Sequence, residues 1–263
     1  ASAGKTVAGF LAGMAEDEGL LNIQDKTSDY LGKGWTSCSP TQEDAITIWH
    51  QLTMTTGLDD GIPPTPQVPD PANCLDSACL QFLAAPGTRW SYHNAPYRLT
   101  QQVIESASGL TINRFTRTRL LNRTGMNGFW INHVFYGRAR DMARFGLMVM
   151  EGGIWDKDTL IRDATFVNAM TTPSQAINKA YGYLWWLNEN TSFMVPGLQN
   201  VFPGQLIPSA PTTMYSALGK NGQILNQEAI RVVSKLPQFI PAKKDGGRIS
   251  VKYGFPISFA LEE

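Results

Sequence analysis

The run Gly4-Lys5-Thr6-Val7-Ala8-Gly9-Phe10-Leu11-Ala12-Gly13-Met14-Ala15 constrains this chain most. Small and apolar residues dominate it, and it lacks the wide polar stripe of a surface helix. It reads as a helix buried on most sides, so the fold must wrap other elements around it. Gly19 looks like its C-cap. Ser2 and Lys5 stand three apart at its start, a spacing that puts both side chains on one helical face. A serine hydroxyl is a weak nucleophile until a base takes its proton. A lysine amine can be that base if desolvation or a nearby positive charge lowers its pKa. The positive end of the helix dipole lies beside both groups.

Alone, Ser-x-x-Lys has little weight, because roughly one is expected by chance in a chain of this length. A competing reading exists. Ala3-Gly4-Lys5-Thr6 could close a phosphate-binding loop, Gly-x-x-x-x-Gly-Lys-Thr, whose first glycine would lie before residue 1. The order of elements decides against it. Helices are expected over 45–55 (its N-cap region at Ser39-Pro40), 76–83, 95–108, 111–121, 139–151 and 161–170. Residues 58–73 and 192–211 read as Pro- and Gly-rich loops. Tyr181–Leu187 is aromatic and β-prone, and Thr212–Leu218 reads as a strand. A helical middle followed by a late strand is not a parallel βαβ array, and no strand ending in Asp is placed to bind magnesium. The expected class is α+β.

Two more motifs follow in order. Tyr92-His93-Asn94 lies in Pro86-Gly87-Thr88-Arg89-Trp90-Ser91-Tyr92-His93-Asn94-Ala95, and the late strand runs into Gly219-Lys220-Asn221-Gly222-Gln223. Ser2-x-x-Lys5 and Tyr92-x-Asn94 each occur once. With the phrases at 52–58, 139–146 and 181–186, this set resembles the serine β-lactamase and penicillin-binding-protein superfamily, in its class C-related branch of esterases, D-amino-acid peptidases and 6-aminohexanoate-dimer hydrolases. The resemblance covers about residues 1–225. It implies a helical subdomain beside an antiparallel sheet, and an acyl-enzyme mechanism on an ester or amide without a cofactor or metal. Ser2 would attack the acyl carbon, with Lys5 or Tyr92 taking its proton. A phenol near ammonium groups would have a lowered pKa. Asn94 would hold Lys5 and the substrate. The oxyanion would sit between the backbone N–H of Ser2 and an N–H after the late strand, at Gly219-Lys220 or in the alternative register Lys220-Asn221-Gly222. Trp186 or Trp185 would line the cleft.

Composition bounds the rest. The 263 residues are 43% hydrophobic, ample for a core. Lys+Arg and Asp+Glu are both 22, so no nucleic-acid surface is expected, and no apolar run reaches the roughly 18 residues of a membrane span. Cys74 and Cys79 suit a local disulfide and an extracytoplasmic setting, although free thiols fit the spacing as well. His50 reads as structural, and His93 as facing away from the nucleophile. Asp59 and Asp60 read as solvated. No Gly-x-Ser-x-Gly elbow supports a Ser-His-Asp triad.

The hydrolase resemblance stops near residue 225. Residues 226–263 are similar to the last third of a TonB C-terminal domain, with a helix over 228–236, a Phe239-Ile240-Pro241-Ala242 turn and a strand over 249–261. That division implies a hydrolase domain truncated at its N-terminus, carrying a tail able to meet a protein partner. Its catalytic sheet would keep the strand near 212–218, with 249–261 as a possible partner. A periplasmic or secreted location, weak activity, or a non-catalytic periplasmic binding module would follow from that arrangement.

Overall fold

The computed structural model describes residues 2–189 and 191–218, with the backbone of residues 243–244 and 247–248. Helix α1 (Gly4–Asp17) is its centre, and each residue from Gly4 to Ala15 is buried. The Leu20 N–H closes the helix onto the Ala15 carbonyl at 2.9 Å, with Gly19 in the left-handed region at φ +70°.

The glycines of α1 mark where its neighbours come closest. A Cβ on Gly4 would lie 2.8 Å from Phe135 Cβ, one on Gly9 2.8 Å from the Tyr183 carbonyl oxygen, and one on Gly13 2.2 Å from the Phe166 ring. Three separate elements therefore pack directly on the helix backbone. Gly9→Ala is the informative change, because the obstructing atom is main chain and cannot swing aside. Relieving the overlap should cost about 1–3 kcal/mol, read as a lower urea midpoint at unchanged slope. A midpoint equal to that of the unaltered chain would show that the 183 segment is not seated on α1.

Short helices α2 (Ser28–Leu31), α3 (Pro40–Asp44) and α4 (Ile48–Leu52) follow. Where one helix is expected over 45–55 with its N-cap region at Ser39-Pro40, α3 occupies the N-cap region and α4 only the middle of the expected range. The break has a tertiary cause: Thr27 N–H donates to the Ile46 carbonyl at 2.9 Å and Ile48 N–H to the Asp25 carbonyl at 3.2 Å. These bonds hold Thr47 extended, and from there it caps α4. His50 completes the cap by accepting the Thr47 N–H on Nδ1 at 3.1 Å. Burial pushes its pKa down to about 4, so it is neutral at pH 7.

Residues 76–83 hold a 3₁₀ turn, Ser77–Cys79, instead of a helix. The Cys74–Cys79 disulfide keeps those Cα atoms 6.0 Å apart, closer than the roughly 7.5 Å that five residues of α-helix rise along the axis. Helix α5 (Asn94–Ser108) packs on α1. Helix α6 (Ile112–Thr116) runs through a π turn into α7 (Asn122–Thr124), within and just beyond the helical stretch expected over 111–121. Helix α8 (Ala139–Met150) is amphipathic, burying Met142, Phe145, Gly146 and Val149 at helical spacing. Helix α9 (Ala164–Met170) starts three residues later than expected, because Asp163 caps it by accepting the Thr165 N–H at 2.8 Å.

All described strands are short and antiparallel. The hairpin β1 (Gly128–Ile131) with β2 (Val134–Gly137) was not expected from the sequence. Its two turn residues, Asn132 and His133, both have positive φ. Strands β3 (Ile154–Trp155) and β4 (Asp158–Thr159) form a second hairpin. Strand β5 (Trp186–Leu187) is followed, inside the expected loop 192–211, by the hairpin β6 (Ser192–Phe193) and β7 (Phe202–Pro203). Strand β8 (Tyr215–Ser216) is all that pairs of the strand expected over 212–218, and its partner is β5, in the register Trp186–Ser216 and Leu187–Tyr215. The pairing considered with 249–261 falls outside the described residues. Strands β9 (Lys243–Lys244) and β10 (Gly247–Arg248) pair with each other. The helix at 228–236, the Phe239–Ala242 turn and the strand at 249–261 lie outside the described residues. Among the described residues, no helix is long and apolar enough to cross a membrane.

Candidate active site

The N-terminus of α1 brings Ser2 and Lys5 together as their spacing requires. Lys5 Nζ donates to Ser2 Oγ at 3.3 Å, and the turn is held by Lys5 N–H on the Ser2 carbonyl at 3.1 Å. The lysine is only 4% exposed. Its Nζ lies 4.8 Å from the Tyr92 ring centroid and 4.6 Å from that of Tyr97. Burial, and secondarily the Arg98 charge, lower its pKa to about 7. The two ring faces favour the ammonium form by about 1 kcal/mol each. Desolvation of a buried amine reaches several pKa units, so it is the larger influence.

Tyr92 and Asn94 come from an extended segment that turns into α5, with His93 as the helix N-cap at φ −106° and ψ 123°. Alternation along that segment sends Tyr92 and Asn94 to the cavity and His93 into the protein, where it is 3% exposed. Burial holds His93 at a pKa of about 4. The expectation of a lowered Tyr92 pKa is overturned. Burial raises it, with the Ser2 and Trp186 side chains acting only partly against that. The reason is that loss of solvent around a phenolate outweighs an amine that is itself driven toward neutrality. Asn94 does not hold Lys5 either. Among the described residues, its Oδ1 is buried without a partner.

The segment before Tyr92 is tied down by a group read from the sequence as solvated. Asp60 pairs with Arg89, Nη2 to Oδ1 at 2.6 Å, and accepts the Ser91 hydroxyl on Oδ2. Asp60 is half-buried, and the Ser91 and Arg89 contacts keep its carboxyl below the usual range against the effect of burial. Asp59 has its Oδ1 on the Gly61 N–H at 2.8 Å, at the surface.

Ser2, Tyr92 and Asn94 open onto a cavity of about 480 Å³. Its other described walls are Trp186, Val195, Pro196, Leu206 and Leu218. Of the two candidate tryptophans, Trp186 therefore lines the cleft, its ring 5.5 Å from that of Tyr92 and tilted by 30°. Trp185 points the other way along the strand, stacked on Phe145 and fully buried. Gly219 and Lys220 lie outside the described residues; the cavity wall reaches Leu218, just before them. The wall residues Val195, Pro196 and Leu206 escaped the sequence reading, as did Arg98 and Tyr97 around the lysine. The apolar Val195-Pro196-Gly197-Leu198 inside a polar loop was the available signal for the wall.

Comparison with known proteins bears on the family and the fold. A family model described as Beta-lactamase matches residues 1–227. A curated "Beta-lactamase" of Escherichia coli (strain K12) is 32% identical over 137 residues, a match taking in 50% of this chain and 34% of that protein. The chain thus spans about a third of the length of that relative. Among solved structures it is similar to one described as a beta-lactamase from Bacteroides dorei DSM 17855, with TM-score 0.60, 21% identity, and 72% of this chain and 65% of the other covered. A protein described as a 6-aminohexanoate-dimer hydrolase from Bacillus anthracis has TM-score 0.56 at 16% identity, covering 89% and 73%. The Beta-lactamase/D-alanine carboxypeptidase from Yersinia pestis has TM-score 0.54 at 20% identity, covering 71% and 65%. At these identities the structural matches speak for the fold.

Proposed function

This chain belongs to the beta-lactamase family, and from that premise we propose a serine hydrolase that works through an acyl-enzyme on a neutral ester or amide, in the class C-related branch. The observation that carries the reading is the buried Lys5 amine, with a pKa of about 7, hydrogen-bonded to Ser2 beside the cavity. In its neutral form Lys5 accepts the Ser2 proton as the Oγ–acyl carbon bond forms. Tyr92 keeps its proton at neutral pH, gives it to the departing oxygen or nitrogen as the bond to the acyl carbon breaks, and regains one from the Lys5 ammonium. Asn94 offers the substrate its amide. The Ser2 N–H and one donor beyond Leu218, at Gly219-Lys220, stabilise the oxyanion. The apolar walls Val195, Pro196, Leu206 and Leu218 favour a neutral substrate over one held by its carboxylate. The Cys74–Cys79 disulfide supports a periplasmic or secreted setting.

A fluorophosphonate probe tests this reading. The expected result is one adduct, mapped by peptide mass spectrometry to Ser2 and lost in Ser2→Ala, forming faster as pH rises through 7. A folded protein that stays unlabelled would sink it and leave a non-catalytic binding module, whose TonB-like tail over 226–263 would then be the segment to test for a partner.

A further inference from the structure

The loop between β5 and β8 is anchored more firmly than a surface connection needs. The fully buried Asn178 accepts the Met194 N–H on Oδ1 at 3.0 Å. Asn188, 1% exposed, accepts the Ile207 N–H at 2.8 Å and donates to the carbonyls of Ile207, Ala210 and Pro211 at 3.0–3.1 Å. Between these anchors stands the turn Val195-Pro196-Gly197-Leu198. Leu198 N–H closes it on the Val195 carbonyl at 3.3 Å. Gly197 has φ +79°, and Pro at the first central position with Gly at the second is the type II pattern. The next residue, Gln199, reaches from Nε2 to the Trp90 carbonyl at 3.2 Å, two residues before Tyr92. The turn is thus fixed to the extended segment that leads through Tyr92 into α5.

Val195 and Pro196 of this turn line the cavity, while Leu198 is 46% exposed at its far corner and Val201 beyond it is 56% exposed. Apolar residues of one anchored turn thus both line the cavity, at Val195 and Pro196, and stand exposed, at Leu198. We propose that this turn determines substrate specificity, seating an unbranched apolar chain of the substrate that runs past Val195 and Pro196 to Leu198. The inference rests on the serine-hydrolase reading and narrows its substrate class to neutral esters or amides with a chain longer than the cavity alone would hold. The chain belongs to the acyl or to the leaving group, and the two are separable.

The experiment compares kcat/KM for p-nitrophenyl octanoate and acetate, which varies the acyl group, and for hexyl and methyl acetate, which varies the leaving group. In one series the long chain should be preferred, and Leu198→Ser should cut the long-to-short ratio about fivefold to tenfold, the loss of one or two methylene contacts. Leu198→Met, which keeps an apolar reach, should preserve the ratio. An unchanged ratio in both series for Leu198→Ser overturns the proposal. A readout independent of turnover is the affinity for 1-octanol, followed by tryptophan fluorescence. Leu198→Ser should weaken it by a similar factor, and equal affinity overturns the proposal again. Labelling of Ser2 by a short-chain fluorophosphonate reports separately on the hydrolase reading, so the two ideas fail by different signs.

Discussion

Replacing Lys5 by Met should lower acylation of Ser2 by about 10²–10⁴-fold, the usual contribution of a positioned base, and at the same time make the protein more stable at neutral pH. The two effects share one cause. The amine is almost wholly buried, and its pKa drops from 10.5 to about 7. At about 1.4 kcal/mol per unit, this is a cost on the order of 3–5 kcal/mol that the folded state bears and a methionine of similar length does not. The sign of the pH dependence follows. Because the folded value lies below the unfolded one, the unfolded chain binds a proton between pH 7 and 10.5 that the folded chain refuses. The cost is complete below pH 7 and vanishes as pH approaches 10.5. The melting temperature of Lys5→Met should therefore exceed that of the unaltered chain most at pH 6–7, and the gap should close as pH rises. A variant less stable at pH 7 would mean that the ammonium, held over the Tyr92 and Tyr97 rings, is the favoured form, and Lys5 could not then be the base.

Tyr92→Phe should separate a proton donor from a base. With the phenol pKa raised by burial, Tyr92 is protonated across the working range and acts on the leaving group. Its loss should cost about 10²–10³-fold with an alkyl ester or amide, whose leaving group needs a proton, and little with a p-nitrophenyl ester, whose leaving group does not. The rise in rate through pH 7 should persist in the variant at reduced height, because it belongs to Lys5. Disappearance of that rise, or an equal loss with both leaving groups, would return the role of base to Tyr92.

These expectations show where reading the chain alone reaches its end. Ser2 and Lys5 were legible because three residues of helix fix their separation, and Tyr92 and Asn94 because their motif, taken with the other phrases, carries the family resemblance. The direction of the Tyr92 shift was not legible. Charges can be counted along a chain, whereas desolvation depends on what covers a side chain, and Tyr92 is covered by Trp186 and Tyr181 from a segment about 90 residues away. Asp60 was misplaced for the same reason, since its partners Arg89 and Ser91 lie some 30 residues on. The split between α3 and α4 likewise needed the backbone of Asp25 and Thr27.

By itself, then, the sequence determined a buried helix from Gly4 to Ala15 with a serine and a lysine on one face of its first turn, and an α+β order of elements around it. Those are local properties, set by periodicity and residue size. Tertiary structure alone decided how that helix is surrounded, with three neighbours resting on Gly4, Gly9 and Gly13, and how the lysine behaves, because burial and Arg98 together bring its amine to about 7. It also decided that one wall of the cavity is a turn held by Asn178, Asn188 and Gln199. Solvent exclusion and long-range hydrogen bonding are properties of the assembled fold, and no spacing along the chain encodes them.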